Sequence, residues 1–313
     1  MGDHGPPVLS GGLRALRHGL LATGLVLAVC AVLAVLCLLT LRSASGVIAS
    51  ADERAVGEIV RVDGDSAVVR WTPAGGTERT TDVDLAVPPP VAGTRTELAY
   101  DPATGVVLIP GSEVLAEADR ALGGVVSVAV VAAGVLALGS WRWWRAARAA
   151  RGAPREAPVR RVAVQSGLVT RSWLESESSP QWWVPVYFDP ALVTLPSPAP
   201  AVVHGEPSPR RWVAVDASGV RLYPSGPVTR REPRGRRSDN PRSAGSDAAR
   251  RAEQAQRLTQ QLRVDLVLVV PAPFVGLFWV FLGGGGTATW AGATVLVAAL
   301  GLWWAAVRGS DPS

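Results

Sequence analysis

Side chains that commonly carry out catalysis are few in this sequence and form no recognised motif. The 313 residues include 3 His and 2 Cys, which leaves almost no ligands for a zinc site made of these residue types alone. His4 lies in the N-terminal tail, His18 flanks the first apolar stretch and His204 follows a predicted strand. No spacing therefore pairs a histidine with a nucleophilic Ser or Cys, and no nucleophile elbow, P-loop or dinucleotide fingerprint occurs. We predict a protein that is not an enzyme, without catalytic, cofactor-binding or metal-binding residues.

Three further groups of residues have structural interpretations. Asp101 precedes Pro102, which is typical of a turn in which the carboxylate accepts backbone hydrogen bonds. Asp63-Gly64-Asp65 is the segment most similar to the D-x-D-x-D-G pattern of a calcium-binding loop, but the full pattern is absent. Cys30 and Cys37 share one face of a predicted helix, where they would form a helix–helix contact, an intermolecular bridge or, most commonly, apolar filling.

The hydropathy pattern predicts four membrane-spanning helices. The hydrophobic share is 48% and the mean hydropathy is +0.22, which is high for a wholly soluble protein. The uncharged stretch from Leu20 to Leu41 is about 33 Å long as a helix and crosses a hydrocarbon core of about 30 Å. A cleaved signal peptide is disfavoured there, because the apolar run is too long and Arg42 closes it directly. The other predicted spans are 121–141, 264–282 and 290–307, the last two joined by a glycine turn at 283–286.

The positions of the arginines predict the orientation of these spans. All 31 basic residues are Arg, which is typical of a high-GC bacterial genome of actinobacterial type. Residues 43–120 hold 6 Arg and 13 acidic residues, whereas residues 142–263 hold 21 Arg and 10 acidic residues. Arginines that flank the spans fall on one side of the membrane if both termini are cytoplasmic. These are Arg14, Arg17, Arg142, Arg145, Arg148, Arg151, Arg257, Arg263 and Arg308. Tryptophans at 141, 143, 144, 303 and 304 would then form a cytoplasmic aromatic belt, and we predict a multi-pass plasma-membrane protein.

Together these patterns predict a membrane α-helical protein with four transmembrane helices, a small barrel-like all-β domain outside and a second β-rich domain inside. The predicted order is a cytoplasmic tail (1–19), a first span (20–41), an extracytoplasmic β domain (43–120), a second span (121–141), a cytoplasmic β-rich domain (142–223), a disordered linker (224–246), a juxtamembrane helix (247–263), a third span (264–282), a fourth span (290–307) and a cytoplasmic tail (308–313). The linker is predicted from its Pro, Gly, Ser and Arg content, and the juxtamembrane helix from Ala and Leu spaced by three or four residues.

Alternating β-forming residues predict five short strands in the extracytoplasmic segment. They cover 55–62, 66–72, 77–87, 94–100 and 106–109, and turns containing Gly or Pro separate them. This spacing predicts a small closed barrel or a sheet rolled on itself.

In the second domain, Phe188-Asp189-Pro190-Ala191 repeats the pattern of Tyr100-Asp101-Pro102-Ala103, so duplication of the β segment is one open interpretation.

Three short motifs of the extracytoplasmic segment occur in the order of a known family. An opening strand contains Gly57-x-Ile59-Val60, a hairpin contains Val68-Val69-Arg70-Trp71 followed by Gly75-Gly76, and a closing strand contains Gly93-Thr94-x-x-x-x-Leu98-Ala99-Tyr100-Asp101-Pro102. Residues 52–112 thereby resemble the small β domain called domain of unknown function 3592, which often lies between transmembrane helices. The sequence departs from the family pattern at Leu98-Ala99, where Val is usual, and by a longer Pro-rich link before Gly93. The resemblance implies a fold and a membrane context, and it implies no activity or site residues.

The charge pattern predicts contact with anionic lipids. Juxtamembrane Arg clusters attract anionic inner-leaflet lipids by about 1 kcal/mol per residue. Specific binding of nucleic acid is disfavoured, because no DNA- or RNA-binding motif accompanies the charge. The uncharged span cores offer no polar path, so a transporter is disfavoured as well.

Two functions remain after these exclusions. The first is a non-enzymatic scaffold or adaptor of the cell envelope, whose β domains bind an unidentified protein partner through exposed strand edges and Trp-rich strands such as Trp182-Trp183. The alternative is a transmembrane signal transducer or regulator that senses through the outer β domain. A membrane enzyme is less favoured, because the residues for one are missing.

Overall fold

A computed structural model describes residues 10–242, 245 and 247–313 of the chain, with side chains of the first helix described from Arg17 onward. His4 therefore lies outside the described residues. The helices are α1 (Ser10–Ser50), α2 (Glu113–Ala149), α3 (Ala191–Thr194), α4 (Ala248–Gln256), α5 (Leu258–Asp265), α6 (Ala272–Gly283) and α7 (Thr287–Arg308). The strands are β1 (Glu53–Asp63), β2 (Ser66–Trp71), β3 (Arg79–Asp84), β4 (Arg95–Tyr100), β5 (Val107–Leu108), β6 (Pro154–Ser166), β7 (Val169–Ser176), β8 (Trp183–Val186), β9 (Ala199–His204), β10 (Ala214–Ala217), β11 (Val220–Leu222) and β12 (Arg236–Asp239). The chain forms two compact units, one made of residues 30–131 and one of the segments before and after it.

Three helices in the described part of the chain are long and apolar enough to cross a membrane, namely α1, α2 and α7. They contain the first, second and fourth predicted spans. The predicted glycine turn is confirmed, because α6 ends at Gly283 and α7 begins at Thr287. Gly284 and Gly285 of this turn have φ values of +70° and +109°, which favour glycine.

The third predicted span, 264–282, is not a single straight helix. α5, a 3₁₀ turn at Leu266–Leu268 and α6 follow one another there, and the two segments are bent by 42°. Pro271 lies in the break and Pro273 is the second residue of α6, and proline has no backbone N–H to continue the helical hydrogen bonds. The predicted four spans are therefore corrected to three candidate helices, with a fourth only if both bent segments belong to one span.

The predicted juxtamembrane helix at 247–263 is divided in two. Arg257 has an extended backbone, with φ −73° and ψ 131°, between the end of α4 and the start of α5. Ala252 and Ala255 of α4 lie in the core of the second β domain. Burial of this alanine face therefore determines the position of α4, rather than continuity with the next helix.

The first β domain, residues 53–112, is an antiparallel five-stranded sheet of order β3-β2-β1-β4-β5. Its strands lie where the sequence predicts them. The two edges of the sheet meet, because a β-bridge joins Leu85 to Ser112 and the N–H of Ala86 donates to the carbonyl of Gly111 at 2.9 Å. The predicted barrel-like fold is therefore confirmed for this domain.

Alternation of side chains along the strands builds the core of the first β domain. The largest fully buried side chains there are Tyr100, Ile59, Leu98 and Val69. Gly57 faces this core at a point of close approach, because a Cβ added to it would lie 2.6 Å from Val69 Cγ1. The Gly57 position of the family-like motif therefore has a packing reason.

The second β domain, residues 154–239, is an antiparallel sheet of order β11-β10-β9-β6-β7-β8, with β12 also paired to β6. The free edge of β8 is covered by the chain after β11. The N–H of Tyr187 donates to Tyr223 O at 2.9 Å, and the N–H of Ser225 donates to Pro185 O at 2.8 Å. The sequence suggested exposed strand edges as the surface that binds a partner. In the first sheet the two edges bond to each other, and in the second sheet the edge of β8 bonds to the chain after β11.

Trp182 and Trp183 belong to the core of the second β domain or lie directly beside it. Their exposed fractions are 5% and 6%, so they do not form the partner-binding surface that the sequence suggested. Trp183 pairs in register with Glu175 of β7 and also forms a β-bridge with Thr229. These tryptophans stabilise the sheet by burial.

The segment predicted as a disordered linker, 224–246, is folded over most of its described length. Ser225 and Val228 are buried, and Arg236–Asp239 forms β12 against β6. Arg237 makes ion pairs with the carboxylates of Glu175, Glu232 and Asp239 at 2.7, 2.8 and 2.8 Å. The composition of the segment predicts that this arginine is exposed to solvent, whereas in the folded domain it is paired with three carboxylates. Residues 243, 244 and 246 lie outside the described residues.

Candidate functional site: an arginine-rich cleft

A cleft of about 1040 Å³ lies on the second β domain, with residues from the ends of α2 and α7 in its walls. Its lining in the described chain contains seven arginines and one acid, Glu232. The arginines are Arg142, Arg171, Arg210, Arg230, Arg231, Arg234 and Arg308. Glu232 already pairs with Arg237 at 2.8 Å. The cleft therefore carries a large excess of positive charge.

Two of these arginines donate hydrogen bonds to Ser225, and one of the two also contacts the backbone of Arg308. Arg142 donates a hydrogen bond from Nη2 to the carbonyl oxygen of Ser225. Arg171 donates from Nη2 to Ser225 Oγ at 3.1 Å and from Nε to the carbonyl oxygen of Arg308 at 2.9 Å. Ser225 has an exposed fraction of 0% and is held by the edge of β8. Backbone and hydroxyl oxygens, rather than carboxylates, therefore orient the guanidinium groups of Arg142 and Arg171.

Each of the three guanidinium groups also lies over a tryptophan ring. The distances from guanidinium carbon to ring centroid are 5.6 Å for Arg142 over Trp212, 5.2 Å for Arg171 over Trp173 and 5.0 Å for Arg308 over Trp304. A guanidinium that stacks by its face keeps its N–H edges available for hydrogen bonds. Arg142 Nε is buried without a hydrogen-bond partner in the described chain. The cluster therefore holds unused donor groups.

The charge of Arg171 is not balanced by an acid. Burial, followed by the charges of Arg308 and Arg142, lowers the pKa of Arg171 to about 10. A guanidinium stays protonated at neutral pH, so this shift means that the positive charge is held where it is unfavourable. Among the described residues no carboxylate forms an ion pair with these three arginines. An anion in the cleft would restore the balance.

The sequence pointed to only part of this cluster. Arg142 and Arg308 were singled out because they flank predicted spans. Trp304 and Arg308 are four residues apart on α7, a spacing that places both on one helix face. Arg171 lies within β7, and Ser225 lies in the supposed linker. Only the fold brings these two residues to the helix ends.

His204 takes part in a cross-strand cluster with Asp216 and Arg221. His204 Nε2 lies 2.8 Å from Asp216 Oδ2, and Arg221 donates to both oxygens of that carboxylate at 2.8 Å. Burial disfavours the carboxylate, but the hydrogen bonds from Arg221 and His204 outweigh it and lower the pKa of Asp216. Both carboxylate oxygens are occupied, so this cluster stabilises the pairing of β9, β10 and β11.

Arg161 and Asp311 form a buried ion pair in the same β domain. Arg161 Nη2 lies 2.6 Å from Asp311 Oδ2, and the exposed fractions of the two side chains are 5% and 0%. The N–H of Asp311 also donates to Thr170 O at 2.9 Å. Asp311, in the segment predicted as a cytoplasmic tail at 308–313, therefore packs into the β domain.

The predicted turn at Asp101 is confirmed. Its Oδ1 accepts from the N–H of Ala103 at 2.8 Å and its Oδ2 from Thr104 Oγ1 at 2.6 Å. The hydrogen bonds from Thr104 and Ala103 lower the pKa of Asp101. Asp189 accepts from the N–H of Ala191 at 2.9 Å in the same way. No group of three or more His, Cys, Asp or Glu in the described chain is arranged to hold a metal ion.

Cys37 makes the helix–helix contact that was one of three open interpretations. A Cβ added to Gly124 would lie 2.7 Å from Cys37 Sγ, so α1 and α2 approach closely at this point. Both Cys30 and Cys37 are free thiols, and Cys30 is buried.

Comparisons of the chain with protein-family models, with curated proteins and with solved structures find no match. The resemblance of residues 52–112 to domain of unknown function 3592 therefore stays a prediction.

Proposed function

We propose that this chain is a multi-pass plasma-membrane protein that acts as a non-enzymatic scaffold or adaptor of the cell envelope. Both termini are cytoplasmic in this proposal, with the first β domain outside the membrane and the second inside. Three helices of spanning length support the membrane placement. Stacked pairs of Arg and Trp at the ends of α2 and α7, such as Arg145 over Trp141 at 5.3 Å, support an interfacial position for these ends.

The observation that carries the proposal is the attachment of the second β domain to the helices beside it. Trp143 of α2 stacks on Tyr223 with a centroid distance of 5.8 Å, and Arg142 donates to Ser225 O. Asp311, just after α7, is paired with Arg161 inside the domain. A scaffold must hold its binding domain in a fixed position, and these contacts from two helices support that role.

The membrane placement is tested by labelling single cysteines. Cys30 and Cys37 are first replaced by Ala, and Thr77→Cys or Glu206→Cys is then introduced at a position that is exposed in its own domain. A membrane-impermeant maleimide should label Thr77→Cys in intact cells and label Glu206→Cys only after permeabilisation. The reverse pattern, or equal labelling of both, would contradict the orientation.

The adaptor role is tested by placing a photo-cross-linking residue at the same two positions of the full chain in native membranes. A protein that is captured reproducibly at one position, and not at the other, would support the proposal and show which domain binds it. Capture of no protein at either position, under conditions that cross-link a known membrane complex, would contradict the adaptor role.

Signal transduction is the second candidate, because α2 is a single helix of 37 residues that follows the first β domain and precedes the second. Inserting two residues in α2 turns the following residues by about half a helical turn, and inserting four turns them by about one turn. A transducer should lose its response with two residues and keep it with four. Equal tolerance of both insertions would exclude this mechanism.

A further inference from the structure

The cluster of Arg142, Arg171 and Arg308 has the composition of an anion-binding site. The fork-shaped guanidinium group presents parallel N–H donors that match the oxygens of phosphate, and stacking on Trp restricts its rotation. Hydrogen bonds to Ser225 and to the Arg308 carbonyl fix the Arg142 and Arg171 side chains before any ligand is present. These two side chains therefore lose little conformational entropy when a ligand binds.

We propose that Arg142, Arg171 and Arg308 bind the phosphate group of a larger molecule in this cleft. Three guanidinium groups that line one cleft exceed what a single carboxylate neutralises, whereas a phosphate group offers more acceptor oxygens and up to two negative charges. The cleft of about 1040 Å³ is larger than an inorganic ion needs and reaches the size of pockets that hold organic ligands. The cleft therefore has room for an organic body attached to the phosphate group.

Two sources can present this phosphate group, namely the headgroup of an anionic phospholipid and a soluble phosphorylated molecule. The lipid source rests on the membrane placement proposed above, since Arg308 and Trp304 end the apolar helix α7. The soluble source does not depend on that placement. Both sources share the same recognition chemistry at the three arginines.

The test uses the full chain in an uncharged detergent with two probes. Retention of phosphatidylglycerol, compared with zwitterionic phosphatidylcholine, is counted by native mass spectrometry. Binding of inorganic pyrophosphate is measured by calorimetry. Retention of phosphatidylglycerol alone identifies the lipid headgroup, and binding of pyrophosphate identifies a soluble ligand class. Binding of neither probe by the unchanged protein would overturn the proposal.

Arg171→Gln and Arg308→Gln should each weaken binding of whichever probe the unchanged protein binds. The expected loss is about tenfold, which corresponds to one charge-assisted hydrogen bond. Arg145→Gln is the matched control, because Arg145 also lies on α2 over a Trp ring but is not among the residues that line the cleft. It should change the affinity by less than about twofold. An equal loss in the control would show attraction by net charge only and would overturn the site.

The variants remain informative if Arg171→Gln fails to fold. The guanidinium of Arg308 donates no hydrogen bond in the described chain, so Arg308→Gln leaves the internal contacts of Arg171 and Ser225 in place. Its failure to weaken binding would itself overturn the proposal. The result is separate from the adaptor role, since a missing protein partner leaves phosphate binding unchanged and a missing phosphate site leaves the cross-linking result unchanged.

Discussion

Breaking the buried ion pair between Arg161 and Asp311 should strongly destabilise the second β domain. Asp311→Asn leaves the Arg161 charge buried, with hydroxyl and amide oxygens as its remaining partners, namely Ser172 and Asn240 at 3.1 Å and Ser313 at 2.6 Å. Loss of one partner from a buried ion pair costs about 3–5 kcal/mol, because the other charge stays desolvated without compensation. The compact unit that contains this domain has about 200 residues. For a unit of that size, a loss of about 3–5 kcal/mol lowers the melting temperature by roughly 6–20 °C.

The assay is thermal unfolding of the full chain in detergent, followed by the fluorescence of its tryptophans. Asp311→Asn and Arg161→Met should both unfold at lower temperature, and residues 309–313 should become accessible to carboxypeptidase. The double variant Arg161→Met/Asp311→Leu removes both charges and should recover most of the loss, because a buried pair contributes little beyond a well-packed apolar pair.

Arg250 and Asp247 provide the matched control, since they form an Arg–Asp pair at 2.9 Å with exposed fractions of 68% and 64%. Replacing either residue by Ala should change stability by less than about 1 kcal/mol. The reasoning would be refuted if Asp311→Asn were as mild as this control. It would also be refuted if the double variant lost as much stability as the two single variants together.

Three further predictions concern packing and charge. Gly57→Ala should destabilise the first β domain by about 1–3 kcal/mol in thermal unfolding, because its Cβ would lie 2.6 Å from a core methyl group, and an unchanged melting temperature would contradict this. Gly124→Leu should separate α1 from α2 and speed maleimide labelling of Cys37, whereas Gly123→Leu, with nothing within 4 Å of its Cβ, should not. The pKa of Asp216 is lowered, so its stabilising contribution is complete above the ordinary value of 3.8 and is lost as the pH falls below it. Asp216→Asn should therefore unfold more easily at neutral pH and show a weaker loss in acid, and parallel pH profiles would refute the assignment.

The sequence predicts best those features that depend on local pattern. The first two apolar stretches, the five strands of the first β domain and the turn at Asp101 follow from residue periodicity and from turn chemistry. For the third span, hydropathy averages over Pro271 and Pro273 and does not show that two segments bent by 42° replace one straight helix. Periodicity also does not show that Arg257 interrupts the helix before it.

Features that depend on distant partners were not predictable from local composition. The segment around Arg237 has the composition of a linker, yet Glu175 lies 62 residues away and is buried beside it. Asp311 likewise meets Arg161 across 150 residues. The candidate site has the same origin, because Arg171, Ser225 and Arg308 lie on separate elements and meet only in the folded domain. A charge-rich segment is therefore a weak indicator of disorder when buried carboxylates are available elsewhere.

The two β domains share a topology that their similar turn motifs do not explain. Numbered from its own first strand, each sheet has the order 3-2-1-4-5 with antiparallel neighbours. The second sheet adds two strands, β11 at the end of that order and β12 beside its own first strand, β6. Each also follows a long helix, α1 or α2. The motif Tyr100-Asp101-Pro102 follows the fourth strand of the first sheet, whereas Phe188-Asp189-Pro190 follows the third strand of the second. The motifs are therefore not in equivalent positions, and turn formation by Asp before Pro accounts for their likeness. The chain therefore repeats a strand order and the long helix that precedes it. Its architectural unit is a helix followed by a small barrel-like sheet.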